Sequence, residues 1–561
     1  MSFLSSRLQP ETNYHYSDSH PPDIWRTTLS LPAAGRDADE RSPPPDEDTH
    51  HGNLPARSTT VTFSLLALAA ISLSMLQSLV SPVLPVIQHD LATTQSAVSW
   101  VLISWLLAAA VATPILGRLG DLAGKQHSLV IVLIAIAVGN VVAALAPNLG
   151  VLIAGRVIQG LGGAVFPLAF GILRDEFEPR RVPSAIGALS GVIAVGSGLG
   201  TVLAGPITEA LGWRWLFWIP AIVVTATAIL CRLFIPESPV RSGGRINLTA
   251  AALLATWLLA LLLPVSQGRV WGWAAPATLA LFVVAAVSFT LWVLVETRTA
   301  NPLIDMRMMR QPLMLTTNTV ALLFGGAMIA AFTFLPQFLE TPASAGYGFG
   351  ASVTTAGLLI LPMLVAMAAG GLVSGPIHRT VGFKAQLVTG SALISVACAG
   401  FGLLNTAPWQ LATGGAVFGL GLGIAYAALT SLIVQGADPA QTGIATGMNT
   451  NIRTIGGSIG IAVVAAIVTS HTQPSGLPTA VGYTTGFLVL AAVAAAAVVV
   501  ALLVPATRPA PPAAGPGQHT AEDRFQEFTL PAPVREEDSR PVPGLALASA
   551  ARPGRHRAPR S

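Results

Sequence analysis

Charge is scarce in this sequence. Only 10% of its 561 residues are Asp, Glu, Lys or Arg, where soluble globular proteins carry about 25%. Whole stretches have none: Ser58 to His89, Leu91 to Gly117, Gln126 to Gly155, Val182 to Thr208, Ile246 to Gly268, Val270 to Val295 and Gln311 to Leu339. Each exceeds the roughly 20 apolar residues that carry a helix across a bilayer. A water-soluble fold is thereby excluded. So is a transmembrane β-barrel, which would alternate in segments of roughly ten residues. Cysteine is nearly absent too. Cys231 and Cys398 both sit in apolar runs, which leaves no disulfide framework and no cysteine metal cluster. There is no phosphate-binding loop, metal-ligand spacing or nucleophile constellation. No cofactor, no metal, no enzymatic activity and no direct use of ATP are expected.

The first 58 residues lack any apolar segment that could serve as a signal sequence. They are rich in Pro, Asp and His, and SPPPDEDTHHGN from Ser42 reads as a disordered tail. Residues 508–561, rich in Pro and Ala and ending RPGRHRAPRS, read the same way. The mean hydropathy of +0.65 and net charge of +4 fit a membrane protein with basic cytoplasmic loops and require no nucleic-acid partner.

What the sequence does contain is fourteen predicted spans, starting near Thr60, Val98, His127, Gly150, Pro183, Trp215, Ile246, Ala274, Leu313, Ala351, Phe383, Trp409, Ala440 and Ala480. With the N-terminus inside, the short cytoplasmic loops hold thirteen Lys or Arg residues against two, Arg214 and Arg269, on the other side. That excess puts both termini in the cytoplasm. The turn GRLGDLAGK, from Gly117 to Lys125, therefore lies between spans two and three on the cytoplasmic side.

The chain also repeats itself. Gly117 and Gly124, seven residues apart, recur as Gly375 and Gly382, with a cation after each pair, Lys125 and Lys384. Arg379 stands where Asp121 stood. QGLG at Gln159 answers FGLG at Phe418, and Gly187 and Gly191 answer Gly443 and Gly447. The offsets, 258, 259 and 256 residues, nearly coincide. Spans one to six thus pair with nine to fourteen, and seven and eight are inserted. The expected organisation is a tail over 1–58, a six-helix half over 59–237, a two-helix insertion over 238–300, a second half over 301–507 and a tail over 508–561. Two halves related by an axis along the membrane normal are an architecture of transporters that alternate access to a mid-membrane site.

GRLGDLAGK resembles the loop signature of the major facilitator superfamily. RVIQGLGG from Arg156 resembles the fourth-span signature of its drug:proton antiporter branch. WVLISWLL at Trp100, LGWRWLFWIP at Leu211 and NIRTIGGSIGIAV at Asn451 resemble patterns of the fourteen-span subfamily of that branch. The resemblance extends from about residue 60 to 507. It implies an all-α polytopic membrane protein with fourteen transmembrane helices, and a monomer in the cell membrane. It also implies export of small hydrophobic or cationic compounds in exchange for protons.

Residue by residue, the glycines of the turn, Gly117, Gly120 and Gly124, permit close backbone approach. Asp121 can accept hydrogen bonds from the N-terminus of a neighbouring helix, where the dipole favours an anion. In the family this contact latches the outward-facing state, and Lys125 adds charge pairing. Leu122 stands where the family usually has a basic residue. Arg156 lies roughly 10 Å into span four, where a cation needs a partner or a wet cavity. The resemblance assigns Arg156, with Gln159 and Gly160, to proton coupling; bonding to backbone carbonyls would also satisfy the guanidinium. Gly196, Gly200 and Gly205 are expected at the sliding interface between the halves, although the Gly-Pro of the antiporters is Gly200-Thr201 here. Gln77, Trp105, Asn449 and Arg453 are expected to line the cavity, the last two alternatively forming a helix–helix clamp. Span one has Leu76 where many fourteen-span antiporters carry a buried Asp, and no Asp or Glu lies deep in any span. An uncoupled facilitator, an exporter of an endogenous metabolite or lipid precursor, and a non-transporting sensor are the alternatives.

Overall fold

The computed structural model describes residues 59–238, 242–299, 301–470, 473 and 477–505. The two tails lie outside this set. A hydrocarbon layer offers the backbone no hydrogen-bond partner, so a spanning segment satisfies its own amides as helix. The charge-free runs do so here. We number the crossings α1 (Thr59–Asp90), α2 (Gln95–Ala123), α3 (Lys125–Ala144), α4 (Leu149–Glu176), α5 (Val182–Leu211), α6 (Trp215–Phe234), α7 (Leu248–Trp271), α8 (Pro276–Arg298), α9 (Pro312–Glu340), α10 (354–381), α11 (383–403), α12 (Pro408–Gly436), α13 (Pro439–Ser470) and α14 (Ala480–Leu503).

Helices α10 and α11 form one continuous helical run of 50 residues, about 75 Å at 1.5 Å per residue and far too long for one crossing. Gly382 breaks it, with φ 71° and ψ 156°, a backbone region essentially reserved for glycine. Fourteen crossings result, as the sequence predicts. No atom lies within 4 Å of where a Cβ at Gly382 would sit. Gly382→Ala is therefore expected to cost about 1–3 kcal/mol through backbone strain alone, read as a lowered melting temperature in detergent.

Polar side chains set several helix starts. Asn148, Asn247 and Thr479 each accept a hydrogen bond from a backbone amide of the first turn. Helices α2, α5 and α7 end on glycines of positive φ, Gly124, Gly212 and Gly272.

In the first half α5 packs on α1, α3 packs on α4 and α6, and α2 packs on α4. In the second half α9 packs on α13 and α14, and α10 and α11 pack on α12 and α14. Helices α7 and α8 pack on each other, and α7 touches both α2 and α13. The halves meet mainly where α2 crosses α13 and where α5 crosses α10. These crossings are counterparts, second helix on fifth and fifth on second, and the repeated glycines sit in both. A Cβ at Gly117 would lie 2.7 Å from the Gly443 carbonyl oxygen. One at Gly187 would lie 2.5 Å from that of Gly371.

The α5–α10 seam does not run the full length of the helices. On α5, Gly187, Gly191 and Gly198 meet Gly371, Ala368 and Leu364 of α10. Further along the same face Val202 is 42% exposed and Gly205 has nothing within 4 Å of a built Cβ. On α10 the matching continuation, Leu361, is 41% exposed, and Gly357 likewise has no neighbour. The helices diverge past Gly198. Along this seam the halves close at the end bearing the α2–α3 turn and part towards the other.

Candidate functional site

The closed end is held by charges from one half on helix ends of the other. Asp121, in the last turn of α2, is fully buried. Its Oδ1 accepts from Gly443 N at 3.0 Å and its Oδ2 from Ile444 N at 2.9 Å. Both amides belong to the first turn of the α-helical part of α13, which starts at Thr442. Two otherwise unpaired helix amides and the positive end of a dipole meet one carboxylate. Gly117, one turn earlier, lets α2 approach this closely, and Gly120 leaves room for Leu168 of α4.

Arg174, near the end of α4, completes the contact. Its Nη1 donates to the Ala437 carbonyl at 3.0 Å and to Thr442 Oγ1 at 2.7 Å. Among the described residues, the side-chain hydrogen bonds that join the two halves come from Asp121 and Arg174.

Lys125 stays within its own half. Its ammonium pairs with Asp175 Oδ2 at 2.5 Å, the two side chains 0% and 3% exposed. Ser238 Oγ donates to the same oxygen. Glu237 caps α3, accepting from Gln126 N at 3.2 Å and His127 N at 3.0 Å, and sits where Gly124, at φ 111°, leaves no room for a side chain. Ser242 N donates to the Asp121 carbonyl at 2.7 Å, and Arg118 Nη1 to Ser242 Oγ at 3.2 Å. The segment after α6 is thus sewn to the charged turn. Asp175, Glu237 and Ser242 were not singled out in the sequence, and Arg174 only as a loop cation. The available signal was a buried lysine between apolar helices, which requires a carboxylate on the same side.

Arg156 is 1% exposed. Its Nε donates to the Val101 carbonyl at 3.0 Å and its Nη1 to Gln159 Oε1 at 2.7 Å, and the guanidinium carbon lies 5.7 Å from the Trp105 ring centroid. Gln159 Nε2 donates to Asn140 Oδ1 at 3.1 Å. The chain of bonds joins α2, α3 and α4 and includes no acid. Gly160 permits it: a Cβ there would lie 3.0 Å from Ala109 N and the Trp105 carbonyl.

Several expected roles need correction. Gly196 and Gly200 do not lie between the halves. Each packs on α1 of its own half, a Cβ at Gly196 falling 2.8 Å from the Ile71 carbonyl and one at Gly200 2.5 Å from that of Met75. Gly205 lies beyond the point where α5 and α10 part. The interhalf glycines of α5 are Gly187, Gly191 and Gly198. Of the two roles open to Asn449 and Arg453, the structure favours the helix–helix clamp. Asn449 Nδ2 donates to Asn318 Oδ1 at 2.9 Å, and Arg453 Nη2 to Tyr426 Oη at 3.1 Å, with its guanidinium 4.4 Å from that ring's centroid. Both clamp α13 to α9 and α12, because a desolvated polar group needs an internal partner. Gln77 is half-buried on α1. Trp105 is half-buried too, and its indole Nε1 has no hydrogen-bond partner.

A family model described as Major Facilitator Superfamily matches residues 66–461. The chain belongs to that superfamily. It is 27% identical to multidrug resistance protein 3 of Bacillus subtilis over 63% of this chain and 69% of that one. It is 29% identical to an MFS-type transporter of Mycobacterium tuberculosis over 70% of this chain and 57% of that one. It is 27% identical to the tetracenomycin C resistance and export protein of Streptomyces glaucescens over 69% of this chain and 72% of that one. The matched region thus spans 57–72% of the length of these relatives. Two solved structures share the fold: a human organic anion transporter, TM-score 0.54 at 17% identity, covering 80% of this chain and 99% of that one, and a proton:xylose symporter, TM-score 0.58 at 12% identity, covering 80% and 96%. The superfamily and these neighbours are transporters, which points away from enzymatic activity.

Proposed function

We propose that this superfamily member is a secondary exporter of small hydrophobic or cationic compounds, working by alternating access with proton antiport. One observation carries the reading: the halves are bonded at one end by Asp121 on the N-terminus of α13, and their α5–α10 seam parts towards the other end. The names of the relatives, multidrug and antibiotic export proteins, supply the substrate class. The loop cations supply the orientation: both termini in the cytoplasm, the bonded end cytoplasmic and the parted end of the α5–α10 seam outward. In this scheme Asp121, with the glycines around it, is the gate. Gln77 and Trp105 line the cavity, and Arg156, through Gln159, senses the proton. The protein works as a monomer in the cell membrane, with the tails and the two halves bounded as the sequence suggests and α7–α8 as a separate insertion.

A second reading has its own support. Among the described residues, every Asp and Glu of a span lies within two residues of that span's end. Proton coupling ordinarily uses a buried carboxylate that titrates during the cycle. An uncoupled carrier, whether a facilitator or an exporter of an endogenous metabolite or lipid precursor, needs none.

Ethidium efflux from vesicles, with and without a protonophore, separates the two. The antiport reading expects efflux that the protonophore abolishes and that Arg156→Ala lowers by about a hundredfold or more, the usual scale for losing a proton-transfer group. Efflux indifferent to the protonophore selects the facilitator. No efflux of any cationic dye from correctly inserted protein rules out the multidrug reading.

A further inference from the structure

The turn between α12 and α13 offers two opposite poles side by side. Ala437 closes α12, whose last carbonyls have no partner within the helix, and Thr442 opens the α-helical part of α13, whose first amides have none. The first is a negative pole and the second a positive one. The first half meets them with charges of matching sign from two different helices, Asp121 of α2 on the amides and Arg174 of α4 on the carbonyl. Thr442 Oγ1, fully buried with its residue, joins the two grips by accepting from Arg174 while its helix carries the amides bound to Asp121. The carboxylates of Asp175, Asp438 and Asp121 all lie near the guanidinium. Asp438 already accepts from Ala440 N at 2.8 Å and Asp175 already pairs with Lys125, so the directed bonds of Arg174 go to the helix end.

We infer that Arg174 is a second gating residue, one that positions the α12–α13 turn and holds the cytoplasmic end shut together with Asp121. The inference rests on the alternating-access reading above. Opening that end draws Ala437 and Thr442 away from α4, so the Arg174 bonds break in the same movement as those of Asp121. A charge-assisted hydrogen bond is worth enough to shift a two-state ratio roughly tenfold or more.

The test is a distance measurement across the closed end. Spin labels at Glu178→Cys and Gln435→Cys, both exposed positions flanking the contact, report the separation of α4 and α12 in lipid nanodiscs; the native Cys231 and Cys398 are buried. Arg174→Gln is expected to move the distribution towards the longer distance, raising that population roughly tenfold, and Arg174→Lys to recover part of the short one. Thr442→Val, which removes one acceptor and keeps the shape, is expected to shift it in the same direction by less, and serves if Arg174→Gln does not fold. A lengthening for Asp121→Asn but none for Arg174→Gln or Thr442→Val overturns the role of Arg174 and spares alternating access. A single unchanged distance in every variant overturns both.

Discussion

Asp121→Asn is expected to release the closed end. An asparagine keeps the size of the side chain but offers one acceptor oxygen in place of two and turns an amide towards the other α13 N–H. It also removes the charge that faces the helix pole. Together these cost about 2–4 kcal/mol, a shift of roughly 30- to 1,000-fold in the ratio of closed to open at that end. In vesicles, efflux should fall at least tenfold, and a thiol reagent on the cytoplasmic side should now reach a cysteine placed on the buried stretch of α13, such as Thr446→Cys. Unchanged efflux together with an unreactive cysteine would mean that the contact is incidental to transport. Asp121→Glu, which keeps the charge but lengthens the arm against the glycine seam, should recover little.

The second large effect concerns stability. Lys125 and Asp175 are both withdrawn from solvent and close on each other. Removing one partner of a buried ion pair costs about 3–5 kcal/mol, because the other charge is left without compensation. Lys125→Met should therefore lower the melting temperature in detergent sharply. The double variant Lys125→Met with Asp175→Leu should recover most of the loss, since apolar replacement of a whole buried pair is often close to neutral. If the single variant melts with the wild type, the pair is solvated and its place beside the gate carries no weight.

Most of the fold was legible because a bilayer imposes a crude rule. A run without charge that is long enough to cross does cross, and the loops advertise themselves by their charges. Even the break between α10 and α11 was anticipated by the repeat, which set Gly382 opposite Gly124. The chemistry of Asp121 was legible as well: a lone carboxylate in a glycine turn needs backbone amides, and the amides came from a helix N-terminus. Its neighbours were harder. Arg174 and Asp175 touch residues 50 to 268 positions away, and no local pattern joins them. Helix α5 misled for a different reason. It has small residues on two faces, one stripe through Gly187, Gly191 and Gly198 and another through Gly196 and Gly200. Smallness announces that a helix will come close, not which helix. Arg453 and Asn449 left two roles open because polarity in a span signals either a cavity or a partner. Here Tyr426 and Asn318, each on another helix, were the partners.

The two seams between the halves are equivalent in backbone and unlike in charge. Where Asp121 grips α13 across the α2–α13 crossing, its counterpart in the repeat is Arg379, and the α5–α10 crossing closes on glycine, serine and apolar side chains. One edge is bolted and the other bare: charge joins the halves along α2 and α13, and close backbone contact joins them along α5 and α10.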